Sequence, residues 1–163
     1  MRTQGNLDKA RVILQEAKNE YQKLENRLDA LDCTLHLGEI LLEMGQFPES
    51  AHLLRDAIVG FKEFNDLKST TIASKALGDA LVQDDRAADA IPVLIDAKTY
   101  FEDLENTREV AITYTILGSA YHVERNCQMA LDVLEISRKM FVEIGEYERV
   151  DAEIQEVLEY MNE

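Results

Sequence analysis

The chain has 163 residues and a formal net charge of −15, with 32 Asp and Glu against 17 Lys and Arg. That balance excludes nucleic-acid binding and adhesion to an anionic membrane surface, both of which need clustered cations. No apolar run is long enough to span a bilayer, the first residues lack the apolar core of a signal peptide, and only seven Gly and two Pro are available for turns, so long helices with short connections are favoured.

In chain order, apolar spacing predicts a first helix from about Leu7 to Leu28, with Leu7, Ile13, Leu14 and Tyr21 on its apolar face. A second runs from about Leu31 to Met44 through Leu31, Leu35 and Ile40-Leu41-Leu42. Gly45 is its stop, because Gly takes the left-handed conformation without steric cost. Pro48 suits the first turn of the next helix, where its missing N–H costs nothing. That helix, to about Phe64, carries Ala51, Leu54, Ala57, Ile58, Phe61 and Phe64 on one face, and Asn65-Asp66 breaks it. Two helices follow, from about Ser69 to Gln83 and from about Ala87 to Leu104, with a turn at Asp84-Asp85. Within the latter, Pro92 removes a backbone hydrogen bond and clashes with the preceding turn, so the helix is expected to bend or to begin late near Ala88. The next pair spans about Arg108 to Val123 and on to about Ile144, with a turn at Glu124-Arg125-Asn126. A last helix is expected from Arg149 to Met161, with an acidic outer face of Glu153, Glu156, Glu159 and Glu163.

Compared with itself, the chain repeats at one fixed period, set by the step from Leu37 to Leu77 to Leu117. Leu37-Gly38 recurs as Leu77-Gly78 and Leu117-Gly118. Leu14 recurs as Leu54, Leu94 and Leu134, Ala10 as Ser50, Ala90 and Ala130, and Ala17 as Ala57, Ala97 and Ser137. Tyr21 recurs as Phe61, Phe101 and Phe141, and Leu24 as Phe64, Leu104 and Ile144. Each column keeps its size class, which chance does not sustain in register. The mid-helix glycines cost roughly 1 kcal/mol each relative to Ala, so close approach of a paired helix must offset them. The aromatic column is expected to fill the gap between successive repeats, since one repeat cannot bury its faces alone.

These residues resemble tetratricopeptide repeats. The family pattern is a Leu-Gly pair, a large residue, Ala, a large residue, then Ala. The third copy has Leu117-Gly118, Tyr121, Ala130, Leu134 and Ser137, and the second has Leu77-Gly78, Leu81, Ala90, Leu94 and Ala97. The ordinary unit is about 34 residues long and closes its second helix with Pro; here Lys62, Glu102 and Val142 stand there, and Thr34, Ser74 and Tyr114 replace the family Trp. Longer units of this kind resemble those of kinesin light chains, spindle-orientation adaptors, bacterial peptide-sensing regulators and some bacterial transcription activators. The pattern does not choose among them. The resemblance implies an all-α, right-handed α-α superhelix of tandem helix-turn-helix repeats. Its expected divisions are a half repeat over 1–29, repeats over 30–69, 70–109 and 110–147, and a capping helix over 148–163. The half repeat lacks its first helix: either the chain starts there or it is cut from a longer protein. At the other end, Leu158 occupies the glycine column and would obstruct a following helix.

No chemistry-bearing pattern stands out. There is no Gly-rich phosphate loop. His36 and Glu39 share a helix face, but a metal site needs three or four ligands in register, and His52 and His122 have no ligand pattern around them. Cys33 and Cys127, far apart in sequence, read as reduced, helix-packed thiols of a cytoplasmic protein. Carboxylate pairs are so frequent that they read as a solvated face. No catalytic residue, metal or cofactor is expected, and the chain is read as a binding protein and not an enzyme.

The resemblance places partner binding on the first helices of the repeats. The matching positions are Asp32, Leu35, Glu39, Leu42 and Glu43; then Ile72, Lys75, Asp79, Val82 and Gln83; then Ile112, Thr115, Ser119, His122 and Val123. The family's carboxylate-clamping subclass uses Lys, Arg and Asn here, whereas this chain offers Asp32, Glu39 and Asp79 with only Lys75 positive. The expected partner is therefore another protein or peptide with a basic or amphipathic segment. Two other readings stand beside that of an adaptor or scaffold. One is a regulatory peptide-sensor domain of a larger protein. The other is a structural assembly module that self-associates through its end helices.

Overall fold

A computed structural model describes residues 2–146 and 150–161. Among them are eight helices and no strand: α1 (Arg2–Lys23), α2 (Arg27–Glu43), α3 (Phe47–Glu63), α4 (Leu67–Gln83), α5 (Ala87–Asp103), α6 (Thr107–Val123), α7 (Cys127–Glu143) and α8 (Asp151–Met161). The chain forms two compact units, Met1–Ala80 and Leu81–Glu163. The first holds α1, α2, α3 and most of α4; the second holds the end of α4 and the remaining helices.

From α2 to α7 every helix has 17 residues. A short turn precedes and follows each one, and one backbone device makes it. Glu25, Gly45, Asn65, Asp85, Glu105, Arg125 and Gly145, equally spaced at half the repeat period, all have φ between 54° and 83°. In each turn the N–H of the following residue reaches back over the turn, as in Gln46 N to Leu41 O (2.8 Å) and Asn126 N to Tyr121 O (2.8 Å). The left-handed residue itself bonds inside that loop, as in Gly45 N to Leu42 O (3.0 Å) and Arg125 N to His122 O (2.8 Å). This pair of bonds satisfies the last carbonyls of the helix. The end of the same turn then opens the next helix: Asn26, Asn106 and Asn126 accept with their side chains from the N–H three residues on. Asp66 does so from Ser69 N (3.0 Å), a bond that holds its carboxyl below the usual carboxylate range. Gly45 is thus the stop that the sequence implied, but five of the seven left-handed positions are not glycine.

The glycine columns are contact seams. A Cβ on Gly38 would lie 2.7 Å from Cγ of Leu54, and one on Gly118 would overlap Cγ of Leu134. Both leucines are fully buried, each contributing about 1.5–3 kcal/mol of burial, which exceeds the roughly 1 kcal/mol helix cost of a glycine. The small columns do more than make room. Ser50 Oγ donates to Gly38 O (2.7 Å), and Ser137 Oγ donates to Ala111 O (2.7 Å), so both fully buried hydroxyls tie a second helix to the first-helix backbone. Gly60 is a seam the column pattern did not show: Leu31 of α2 packs where its Cβ would be. In the second unit Ala111 and Met140 occupy the corresponding columns, with the bulk on the other helix. There Ala111, Ala130, Leu134 and Phe141 share a buried cluster with Val150 and with Val157 of α8, so at Phe141 the aromatic column bridges to the following helix.

Several expectations need correction. The chain turns at Leu24–Asn26, so the first helix ends at Lys23 and Leu28 belongs to α2; Asn26 as a helix cap overrides the run of apolar spacing. Leu24, Phe64, Leu104 and Ile144 are the residues just beyond helix ends and are 73%, 42%, 50% and 38% exposed, so that column is no part of the core and Phe64 does not share the buried face of α3. Arg27 instead stacks over the Phe64 ring at 5.5 Å. The helix containing Pro92 does not begin late: α5 starts at Ala87. Pro92 and Ala88, one helical turn before it, are both exposed residues of α5. Glu163 and the start of the last expected helix, Arg149, lie outside the described residues, as do 147–149 where two expected repeat divisions meet.

Helix α1 carries the second-helix columns without their burial. Leu14, Ala17 and Tyr21 are half-buried, whereas Leu54, Ala57 and Phe61 are fully buried. In α3 and α7 the column leucine sits on a first-helix glycine; α1 packs on α2, which supplies its glycine to Leu54.

Two substitutions test this construction by chemical denaturation. Gly118→Leu is expected to lower stability by about 1–3 kcal/mol or more, because even its Cβ would overlap Cγ of Leu134; unchanged stability would refute the seam. Arg125→Gly removes a left-handed strain of about 1–2 kcal/mol against a backbone-entropy cost of about 0.5–1 kcal/mol. A net gain of up to about 1 kcal/mol is expected, and a loss would refute the turn geometry.

Candidate partner-binding surface

The surface is built on the first helices, whose helical period brings positions three and four apart onto one side. In the first unit, Leu35 is buried, Asp32, Glu39, Leu42, Ile72, Lys75 and Asp79 are half-buried, and Glu43 is exposed. Glu39 is held by His36, whose Nδ1 lies 2.9 Å from its Oε2. Burial pushes the Asp32 carboxyl up, nearby His36 opposes the shift, and Asp29 and Asp66 add to it. Burial likewise raises the Cys33 thiol, which together with its buried position makes it a core group and not an exposed nucleophile.

In the second unit, Val82 is buried, Gln83 and Val123 are exposed, and Ile112, Thr115, Ser119 and His122 are half-buried. Thr115 turns toward α7: its Oγ1 lies 2.9 Å from Ser137 Oγ and bonds to Ala111 O at 3.2 Å. It serves the helix seam. Val82, Gln83, Ser119, His122 and Val123 converge instead on one cavity of about 300 Å³. Its lining also includes Leu134 and Val157, both fully buried, and the carboxylates of Asp85, Glu153 and Glu156. His122 is fixed at one side, its ring edge-on to Tyr160 with centroids 5.5 Å apart.

Sequence reading missed three residues of this cavity as a group. Asp85 reads there only as a turn residue, and Glu153 and Glu156 as the outer face of a cap. Glu153 is half-buried, and its Oε2 is buried without a hydrogen-bond partner. The repeat register does carry a signal, because Glu153 and Glu156 fall in the columns of Thr113 and Ile116; what those columns face at the end of the array depends on packing. No group of three metal-ligating side chains occurs among the described residues.

No family profile matches the chain, and no curated protein matches it in sequence. Solved structures do match. The nearly identical TPR-like repeats of a Podosopora anserina protein described as a putative kinesin light chain superpose with a TM-score of 0.66 at 16% identity, covering 88% of this chain and 71% of that one. A single-substitution variant of the same repeats gives a TM-score of 0.67 at 16% identity, covering 86% and 69%. The chain therefore has the all-α fold of TPR-like repeats, as the Leu-Gly columns implied.

Asp32 provides a pH test of this face. Its folded-state pKa is raised, so between the ordinary value of 3.8 and the raised value the native state holds more protons than the unfolded chain. Stability contributed by this group falls as pH rises through that window. Asp32→Asn is expected to be more stable than the wild type at pH 7, with the difference shrinking as pH falls toward 4 in denaturation series. A difference that grows on acidification would refute the assignment.

Proposed function

We propose that the chain is a scaffold that holds another protein or peptide along its first-helix faces, and that the favoured segment is basic and amphipathic. One observation carries the reading: in the second unit the first-helix positions open on a cavity lined by three carboxylates, those of Asp85, Glu153 and Glu156. Such a surface attracts a cation, and the half-buried Leu42, Ile72 and Ile112 of the first helices offer contacts for apolar side chains. The half-buried Asp32, Glu39 and Asp79 in the first unit carry the same sign of charge. A net charge of −15 would steer a basic segment over a Debye length of about 8 Å at physiological ionic strength. The fold supports recognition, because repeated helix pairs present extended surfaces.

A displayed library of random peptides, selected on the whole chain, tests this. Enriched sequences are expected to combine Lys or Arg with spaced apolar residues. Affinity should fall about tenfold or more between low and high salt, and fall again in the Glu39→Lys, Glu156→Lys double variant. Selection of acidic peptides, or affinity indifferent to both salt and charge reversal, would overturn the proposal.

A further inference from the structure

We infer that the exposed stripe of α1 is a dimerisation surface, on which α1 of a second copy of this chain lies antiparallel about a two-fold axis between Val12 and Ile13. The inference goes beyond the scaffold reading and uses none of the first-helix positions.

Helix α1 carries the second-helix columns, and Ile13 stands in the column of Leu53, Val93 and Val133. Leu53 and Val93 are half-buried and Val133 is buried, whereas Ile13 is 64% exposed. Helix α1 packs on α2, and its half-buried Leu7, Ala10, Leu14, Ala17 and Tyr21 recur at helical spacing on one side. Lys9, Val12, Ile13 and Glu16 form a second stripe at the same spacing, and all four are exposed. Two adjacent aliphatic side chains left in water at the middle of a charged stripe need a cover that the chain itself does not supply.

The order of the stripe selects the cover. Lys9 lies three residues before Val12, and Glu16 lies three residues after Ile13. The pattern is thus a palindrome with its charge reversed, centred on the apolar pair. Two such helices laid antiparallel about that centre bring Val12 against the partner's Ile13 and Lys9 against the partner's Glu16, and the symmetry makes each contact twice. A parallel arrangement would oppose Lys9 to Lys9 and Glu16 to Glu16, which like charge disfavours. Both charged groups are available for the contact. Among the described residues the ion pairs of α1 are Arg11 with Asp8 (4.0 Å) and Lys23 with Glu20 (2.6 Å), and neither Lys9 nor Glu16 takes part in one. Exposed ion pairs add little affinity, so the charges set direction and register while burial of Val12 and Ile13 supplies the attraction. A foreign partner would need to reproduce this pattern; a second copy carries it already.

Sedimentation equilibrium of the whole chain tests the inference. The wild type is expected to pass from monomer to dimer as concentration rises. Ile13→Glu should keep the wild-type melting temperature, since the residue is exposed, and weaken the dimer about tenfold or more. Lys9→Glu and Glu16→Lys each oppose like charges across the axis and should weaken it as well. Mixed in equal amounts, these two charge variants should dimerise again, because every contact between positions 9 and 16 then joins opposite charges. A chain that stays monomeric up to about 1 mM, the limit of a very weak complex, would overturn the inference. So would a dimer indifferent to Ile13→Glu, or a mixture of the two charge variants that associates no better than either alone.

Discussion

A leucine pressed into a glycine holds α3 on α2 and α7 on α6. Leu54 over Gly38 and Leu134 over Gly118 bring second helix and first helix close enough for a serine to reach a backbone carbonyl, as Ser50 does to Gly38. With any side chain at the glycine the helices would separate and both leucines would lose their enclosure. The glycine's helix cost is local and small, whereas the leucine's burial and the dispersion contacts around it are larger and shared by two helices. The seam also sets which faces remain outward on α2 and α6, and so which side chains can meet a partner.

The turns are the second constraint, and they work through the backbone. Each one returns the chain after a helix by placing a single residue in the left-handed region. Glycine fills that position twice; elsewhere Glu, Asn, Asp and Arg take it. The carbonyls satisfied by the two reverse hydrogen bonds outweigh the strain of a non-glycine residue. Because the turn is constant, the helices stay equal in length, and equal length keeps each leucine in register with its glycine. Pro92 is compatible with this only because its side of α5 is exposed.

On that frame the second unit presents its chemistry at one place. The cavity beside His122 is lined by three carboxylates, and one oxygen of Glu153 is buried with no hydrogen-bond partner among the described residues. In the core, by contrast, polar groups are satisfied locally by carbonyls one helical turn back or across a seam, as for Thr113 and Ser137. The difference separates polar residues that build the fold from one atom that the fold leaves unsatisfied.

The sequence by itself determined the helices, their pairing and the TPR-like repeat. Leu37-Gly38 and its copies, with the Leu and Ala columns of the second helices, record packing demands that recur at one fixed period along the chain. Such local and periodic demands can be read one residue at a time. It marked Gly45 as a left-handed stop but was silent on the non-glycine turns, since Glu105 and Arg125 carry no glycine signal and their conformation follows from two backbone bonds. It also misassigned the Phe64 column, because apolar character alone does not distinguish a helix face from a residue just past the helix end. Only tertiary packing decided that Thr115 serves the α7 seam while Ser119, one turn on, reaches the cavity. The same packing turns Glu153 inward from an otherwise solvated acidic helix. A side chain's surroundings are set by the helices on either side of it, and those contacts join residues far apart in the chain.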